Sequence, residues 1–281
     1  MTDAALDTRS GLLPGLLREA GALALAYFRD PSRFTVQVKG LQDQASDADR
    51  AVEELISGRI AALFPQDAIL GEETGSGGAL AADGETWDRR DGGAGFLWVI
   101  DPIDGTQCFV NAIPVWCVSV ALLRNGQTVA GGIFDPNADE LFLARAGRGA
   151  SLNGTPLTCS PAGTLDQGVV GIGFSHRTGT EPALAAIDGL AQAGGMFQRN
   201  GSGALMLAYV AAGRLLGYFE AHINAWDCLA GNLLVTEAGG HVSPFLADGG
   251  LTGGGPLLAA APGVAAELGR ICAMTGNEGC L

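Results

Sequence analysis

The chain has 281 residues, of which 47 % are hydrophobic and 16 % charged, and its formal net charge is −14. That length and apolar share support a large core, in one domain or two packed halves, and exclude a disordered chain. With 30 acidic and 16 basic residues, there is no basic cluster to replace counterions on a phosphodiester backbone. This argues against nucleic acid as the partner and disfavours an anionic membrane surface. An anionic substrate then needs bound cations to bridge it to the protein. Residues 1–10 carry no signal pattern, and the best apolar run, 204–212, falls short of the roughly 18 residues that span a bilayer. Six cysteines are scattered without a C-x-x-C pair, so neither a zinc site nor a redox motif is indicated. The expectation is a soluble cytoplasmic protein with reduced thiols.

Leu, Ala and Tyr recurring at three- and four-residue spacing predict a first helix over 12–28. Alternation predicts a short strand over 33–39, followed by a polar stretch. Ser46 is the expected N-cap of a helix running to about residue 63, with Asp47 and Asp49 at its positive end. Pro65 stops it, and a short strand at 68–70 runs into Gly71-Glu72-Glu73. Residues 74–95, rich in Gly, Asp and Ala with little periodicity, are expected to form an exposed, mobile loop. The apolar run 96–100 reads as a buried strand. Further strands follow at 115–123, 129–134 and 140–144, with Asn125-Gly126 marking a hairpin. The turn-rich segment 147–154 marks the expected boundary between an N-terminal half, 1–150, and a C-terminal half, 151–281. In the second half, strands at 169–172 and 215–219 alternate with helices at 181–193, 202–212, 227–238 and 262–274. Gly239-Gly240 closes the third of these helices. The pattern is layered α/β structure. The glycines of 168–173 lack the spacing and the following helix of a dinucleotide fingerprint.

Asp101-Pro102-Ile103-Asp104-Gly105-Thr106 carries the most chemistry. A buried strand is expected to end there and deliver Asp101 and Asp104 into one tight turn. Pro102 fixes its own φ and has no N–H to give, and Gly105 lets a ligand approach closely. Two carboxylates held this close repel unless protons or cations neutralise them, and hard divalent cations suit them well. Taken alone, the hexapeptide is equally compatible with a solvated Asx-type turn. Glu72 and Glu73 alone read as a solvated corner at a strand end, and Asp227, after Trp226, as a helix cap. Together, three acidic nodes at strand ends and a helix start suit a shared cluster of two or three Mg²⁺ ions. Such a cluster orients a water and holds a leaving oxygen.

Three segments, Gly71-Glu72-Glu73, the hexapeptide, and Trp226-Asp227-Cys228-Leu229-Ala230-Gly231 with Glu237-Ala238-Gly239-Gly240, closely resemble the signature motifs of the inositol monophosphatase family. These are Mg²⁺-dependent, lithium-sensitive phosphatases. Order and spacing match, as do residues 146–154 and the Asp43…Ser46…Asp49 pattern, so the resemblance covers essentially the whole chain. It implies a five-layer αβαβα sandwich with the site between the halves, and a homodimer. It also implies a first metal on Glu72, Asp101 and the backbone carbonyl of Ile103. A second would sit on Asp101, Asp104 and Asp227, and a third mainly on Glu72. Glu72 and Thr106 would position and deprotonate the attacking water, with Asp49 in the same catalytic set. Phosphate would lie against the N–H groups of Gly105 and Thr106, and no covalent phospho-enzyme is needed.

Glu220 matches the position that bonds ring hydroxyls in relatives acting on inositol phosphates, which implies a small phosphorylated polyol such as myo-inositol 1-phosphate. Gly201, Ser202 and Gly203 match the segment lining the same pocket. Gln107-Cys108 and Leu229 depart from the family's usual residues at positions expected to touch no metal, and they bear on the choice of substrate. His222, Asn224, Arg199 and Lys39 are further candidates for the pocket or its surroundings. The alternatives are histidinol phosphate, a sugar bisphosphate or phosphoadenosine phosphate as substrate, or a non-catalytic binding protein on the same fold.

Overall fold

A computed structural model describes residues 3–40, 43–75, 95–247 and 249–273. The predicted loop at 74–95 therefore falls almost wholly outside the described residues, as does Cys280.

Helix α1 (Ala4–Phe28) starts at residue 4 rather than 12, because Asp3 caps it by accepting from the Leu6 N–H at 3.3 Å. Its buried face, Leu6, Leu13, Leu16, Leu17, Ala20 and Ala24, continues through Pro14. A 3₁₀ turn (Pro31–Arg33) then precedes an antiparallel pair, β1 (Val36–Gly40) and β2 (Asp43–Ser46), where one strand and a polar stretch were expected. Ser46 caps α2 (Asp47–Leu63) as expected.

The first large sheet has seven strands in chain order: β3 (Ala68–Gly71), β4 (Phe96–Asp104), β5 (Cys117–Arg124), β6 (Gln127–Asp135), β7 (Glu140–Arg145), β8 (Gly149–Leu152) and β9 (Thr155–Pro156). A short helix, α3 (Thr106–Val110), interrupts the run after β4. Among the described residues of this sheet, only β3 and β4 pair in parallel. The turn-rich segment 147–154 holds a strand and a hairpin at Asn153-Gly154, so this sheet extends to Pro156.

The second half supplies β10 (Val169–Ile172), α4 (Glu181–Gln192), β11 (Met196–Gln198), α5 (Gly203–Ala211), β12 (Gly217–Ile223) and α6 (Ala225–Glu237). It closes with β13 (His241–Val242), α7 (Gly250–Gly253), β14 (Gly255–Ala260) and α8 (Ala265–Ile271). The second sheet has the order β11-β10-β12-β14-β13. Strands β11, β13 and β14 were not expected from the sequence, and α8 is shorter than 262–274. Strands of two or three residues carry almost no periodicity and exist because a neighbour pairs with them.

Every residue of β4 is buried, and its side chains alternate between two cores, as the two-residue period of a strand requires. Phe96, Trp98 and Ile100 join the core under α1 and α2, whereas Leu97 and Val99 face the core built on α5 and α6. Helices α4 and α8 pack together and against the far sheet. The result is the expected αβαβα sandwich, with α5 and α6 as the shared middle layer. Helix α6 lies directly on β6 because both surfaces are shallow: a Cβ on Gly131 would stand 3.0 Å from the Ala230 Cα. That close seat carries the N-terminal end of α6 over β4 and β5, where the Trp226 carbonyl accepts from Ser119 Oγ at 3.3 Å.

The other end of α6 explains two of the sequence motifs. The Glu237 carboxylate accepts from the N–H groups of Gly147, Arg148 and Gly149 at 2.8, 3.1 and 2.7 Å. The Gly-Arg-Gly turn and the Glu-Ala-Gly-Gly helix end are thus two sides of one contact. Among the described residues, Cys108, Cys117, Cys159, Cys228 and Cys272 are free and buried, and no helix is long and apolar enough to cross a membrane.

Candidate active site

Asp101 and Asp104 both lie within β4, not in a turn beyond it. The pairing of β4 with β5 slips between them, where Pro102 has no N–H for the ladder and forces an irregularity. The turn comes one residue later. Gly105 has φ +97°, and a Cβ there would stand 2.9 Å from the Val115 carbonyl oxygen. The slip gathers carboxylates that strict alternation would send to different sites. Asp101 Oδ1 accepts from the Ile103 N–H at 3.0 Å, while Oδ2 is buried with no hydrogen-bond partner. Asp104 Oδ2 accepts from Ser202 Oγ at 2.5 Å and the Ala204 N–H at 2.7 Å, at the N-terminus of α5.

Asp227 is the third residue of α6 rather than its cap. The cap is Asn224, whose N–H and Nδ2 donate to Asp227 Oδ2 at 2.9 and 3.2 Å. Asp101, Asp104 and Asp227 each offer an oxygen within 4.8 Å of the other two.

Glu72 enters from the end of β3, where its N–H continues the pairing with β4 by donating to the Ile100 carbonyl at 3.2 Å. A residue the motif reading missed braces this corner. Glu53, 0 % exposed on α2, accepts from the N–H groups of Glu73 and Thr74 at 2.9 Å each, and from Thr74 Oγ1 at 2.5 Å. Its signal was available: Asp49, Val52, Glu53, Ile56 and Ile60 share the buried face of α2, so two acids sit in an apolar stripe. Asp49, the first of them, accepts from Ser46 N and Oγ at 2.8 and 2.6 Å. Its Oδ1 lies 3.5 Å from Thr106 Oγ1, which donates to the Ile103 carbonyl at 3.0 Å.

Burial pushes every carboxyl of this group up. It is the leading cause for Asp49, raised to about 6, and for Asp104, raised to about 7, where the Asp227 charge adds to it. Burial and then the charges of Asp227 and Asp49 raise Glu72; burial and then Glu72 and Asp104 raise Asp101. Asp227 is also raised by burial, against the hydrogen bonds from Asn224. Oxygen-only donors that repel each other and an orphaned buried oxygen on Asp101 form a donor set that fits hard divalent cations.

Glu72, Asp104 and Asp227 open on a cleft of about 640 Å³, bounded on the other side by the second half of the chain. Gly105 and Thr106 line it, with Glu220 from β12 and Gly201, Ser202 and Gly203 from the start of α5. The Ser202 hydroxyl is buried on Asp104 rather than open to the cleft. Arg199, His222 and Asn224 also line it, and His222 Nε2 lies 3.1 Å from the Gly253 carbonyl. The Lys39 side chain is outside the described residues. Leu229 is buried in the core, and Cys108 forms wall, its Sγ 2.6 Å from where a Cβ on Gly201 would stand.

A carboxylate cluster at the slipped end of a strand, facing a polar cleft in an αβαβα sandwich, defines a class of metal-dependent hydrolases of phosphate esters. The chain belongs to the inositol monophosphatase family, whose profile matches residues 10–275. It is 39 % identical over 230 residues to the Nus factor SuhB of Xylella fastidiosa, covering 81 % of this chain and 78 % of that one. To the inositol-1-monophosphatase of Mesorhizobium japonicum it is 38 % identical over 248 residues, 86 % of this chain and 88 % of that one. The crystal structure of the extragenic suppressor protein suhB from Bartonella henselae superposes with a TM-score of 0.81 at 29 % identity, covering 95 % of this chain and 98 % of that one. The SaIMPase-II structure bound to inositol monophosphate has a TM-score of 0.72 at 26 % identity, covering 92 % and 91 %; the 2'AMP-bound one has 0.74 at 27 %, with the same coverage. Family membership implies a metal-dependent phosphatase.

Proposed function

We propose that this protein is a Mg²⁺-dependent phosphomonoesterase whose substrate is myo-inositol 1-phosphate or a closely similar polyol monophosphate. The observation that carries this reading is the convergence of Asp101, Asp104 and Asp227, with Asp101 Oδ2 buried and unpartnered. Together with Glu72 and the Ile103 carbonyl they would hold the two or three ions. When bound, Mg²⁺ supplies charge neutralisation and Lewis acidity at the phosphoryl group and its water. Glu72 takes the proton from the attacking water, and Thr106, bonded to the Ile103 carbonyl and near Asp49, orients that water. The N–H groups of Gly105 and Thr106 donate to phosphate oxygens at the start of α3. Glu220 receives the substrate's hydroxyls on the far wall. The SaIMPase-II structures with inositol monophosphate and with 2'AMP support a phosphomonoester in such a cleft. We also read the protein as a cytoplasmic homodimer, by family resemblance.

The test is phosphate release from myo-inositol 1-phosphate with Mg²⁺, with EDTA as a control and histidinol phosphate in parallel. Asp104→Asn removes a charge but little volume, so its turnover should fall at least about 100-fold while its circular dichroism stays that of wild type. Near-wild-type turnover would sink the metal assignment. Hydrolysis of the histidinol ester alone would keep the metal site and replace the substrate.

A further inference from the structure

A carboxylate that selects a polyol has to be held still, and the fold holds Glu220 with a neighbour that has no assigned role. Tyr218 and Glu220 are two residues apart on β12, so both side chains leave the same face of the sheet. Tyr218 is 1 % exposed, and its hydroxyl donates to Glu220 Oε2. Glu220 Oε1 has no hydrogen-bond partner among the described residues, and the side chain lines the cleft. One oxygen is therefore committed and the other presented.

The room for this pair is made by two glycines on other elements. A Cβ on Gly173, just past β10, would stand 2.2 Å from Glu220 Oε2 and 2.6 Å from the Tyr218 hydroxyl oxygen. A Cβ on Gly203, the first residue of α5, would stand 3.2 Å from the same hydroxyl. Three elements thus converge on one phenol–carboxylate contact at the cleft wall. A phenol suits the task because it donates one hydrogen bond without cancelling the negative charge that makes Oε1 a good acceptor. An ammonium or guanidinium in its place would compete with the substrate's hydroxyls.

Resting on the phosphatase reading above, we propose that Tyr218 is a positioning residue for substrate selection. It fixes the Glu220 carboxylate so that Oε1 accepts from a hydroxyl of a polyol monophosphate, while the ester phosphate lies on the acidic cluster. Tyr218 borders the cleft but is almost fully buried, and it acts through Glu220.

The experiment compares wild type and Tyr218→Phe, with Mg²⁺, on myo-inositol 1-phosphate and on phenyl phosphate, whose alcohol portion has no hydroxyl. For the inositol ester, KM should rise about 5- to 20-fold, the worth of one oriented hydrogen bond, with kcat within about twofold. Both constants for phenyl phosphate should stay unchanged, and a Glu220→Ala background should abolish the effect of the tyrosine change. An unchanged KM for the inositol ester, or an equal loss on both esters, overturns the proposal. If Tyr218→Phe does not fold, Gly173→Ala displaces the pair while keeping the hydroxyl, and the same selective rise is required of it. Wild type active on phenyl phosphate but not on the inositol ester overturns this proposal and leaves the phosphatase reading standing. Wild type inactive on both esters overturns the phosphatase reading and the proposal with it.

Discussion

Asp49, Asp104 and Glu220 hold their protons to about pH 6, 7 and 7, in each case chiefly because burial removes the water that would stabilise the charge. A carboxyl whose native pKa is raised binds protons more tightly in the folded than in the unfolded chain. Its contribution to stability is whole below the ordinary carboxylate range, near pH 4, and is lost as pH rises through the native value. At about 1.4 kcal/mol per unit, Asp49 alone costs on the order of 3 kcal/mol above pH 6. Asp3 and Asp47 are shifted the other way, by the Leu6 N–H and the Thr35 hydroxyl first of all, but both are reached by solvent and count for little. The metal-free protein should therefore melt several degrees lower at pH 8 than at pH 5. Mg²⁺ should raise the melting temperature far more at pH 8, because the cations take the place of the protons. Thermal scans in EDTA and in Mg²⁺ at the two pH values check this, and a flat or inverted profile refutes it.

At the scale of elements, α2 acts as a brace. Its buried acidic pair touches both sides of the site: Asp49 neighbours Thr106 on α3, and Glu53 holds the Glu73-Thr74 backbone at the end of β3. Gly71 is required beside it, since a Cβ there would stand 2.3 Å from Glu53 Oε1. Glu53→Ala leaves three donors of a part-buried corner without their acceptor. That should cost about 2 kcal/mol, a fall in melting temperature on the order of 5 °C. Because Glu72 sits on the loosened corner, the Mg²⁺ concentration for half-maximal activity should also rise. Titration of activity against Mg²⁺ separates that effect from simple destabilisation, which would lower activity without moving the midpoint.

Across the whole molecule, the two sheets meet over α5 and α6, and the site draws on all three layers. The first sheet gives Asp101, Asp104 and Glu72, α6 gives Asp227, α5 anchors Asp104, and the second sheet presents Glu220. Helix α6 does separate work at its two ends. Asp227 and Glu237 are about 15 Å apart along its axis, at 1.5 Å per residue. Glu237→Ala should release the 147–149 turn and lower stability by about 1 kcal/mol, or roughly 2 to 4 °C, its contacts being solvent-exposed. Turnover should stay at the wild-type level in this variant. A large loss of kcat would mean that the two ends of α6 are coupled.

What the amino-acid sequence determined by itself was local. Ser46 caps α2 through bonds two and three residues away. Pro102 and Gly105 shape the end of β4 through their own backbone preferences, and the layered α/β class follows from apolar runs and periodicity. The acidic motifs were legible because each sits in a few consecutive residues. What only the tertiary structure decided joins distant parts of the chain. Ser202 anchors Asp104 across 98 residues, and Glu237 holds Gly149 across 88. Glu53 braces Glu73, and Gly173 and Gly203 make room for Tyr218 and Glu220. The short strands β11 and β13 belong with these, since they form only beside a partner. The physical reason is common to all of them. A cap or a strained turn is settled by the free energy of neighbouring residues, whereas a buried carboxylate's role depends on which donors and which other charges the packing of separate elements brings beside it.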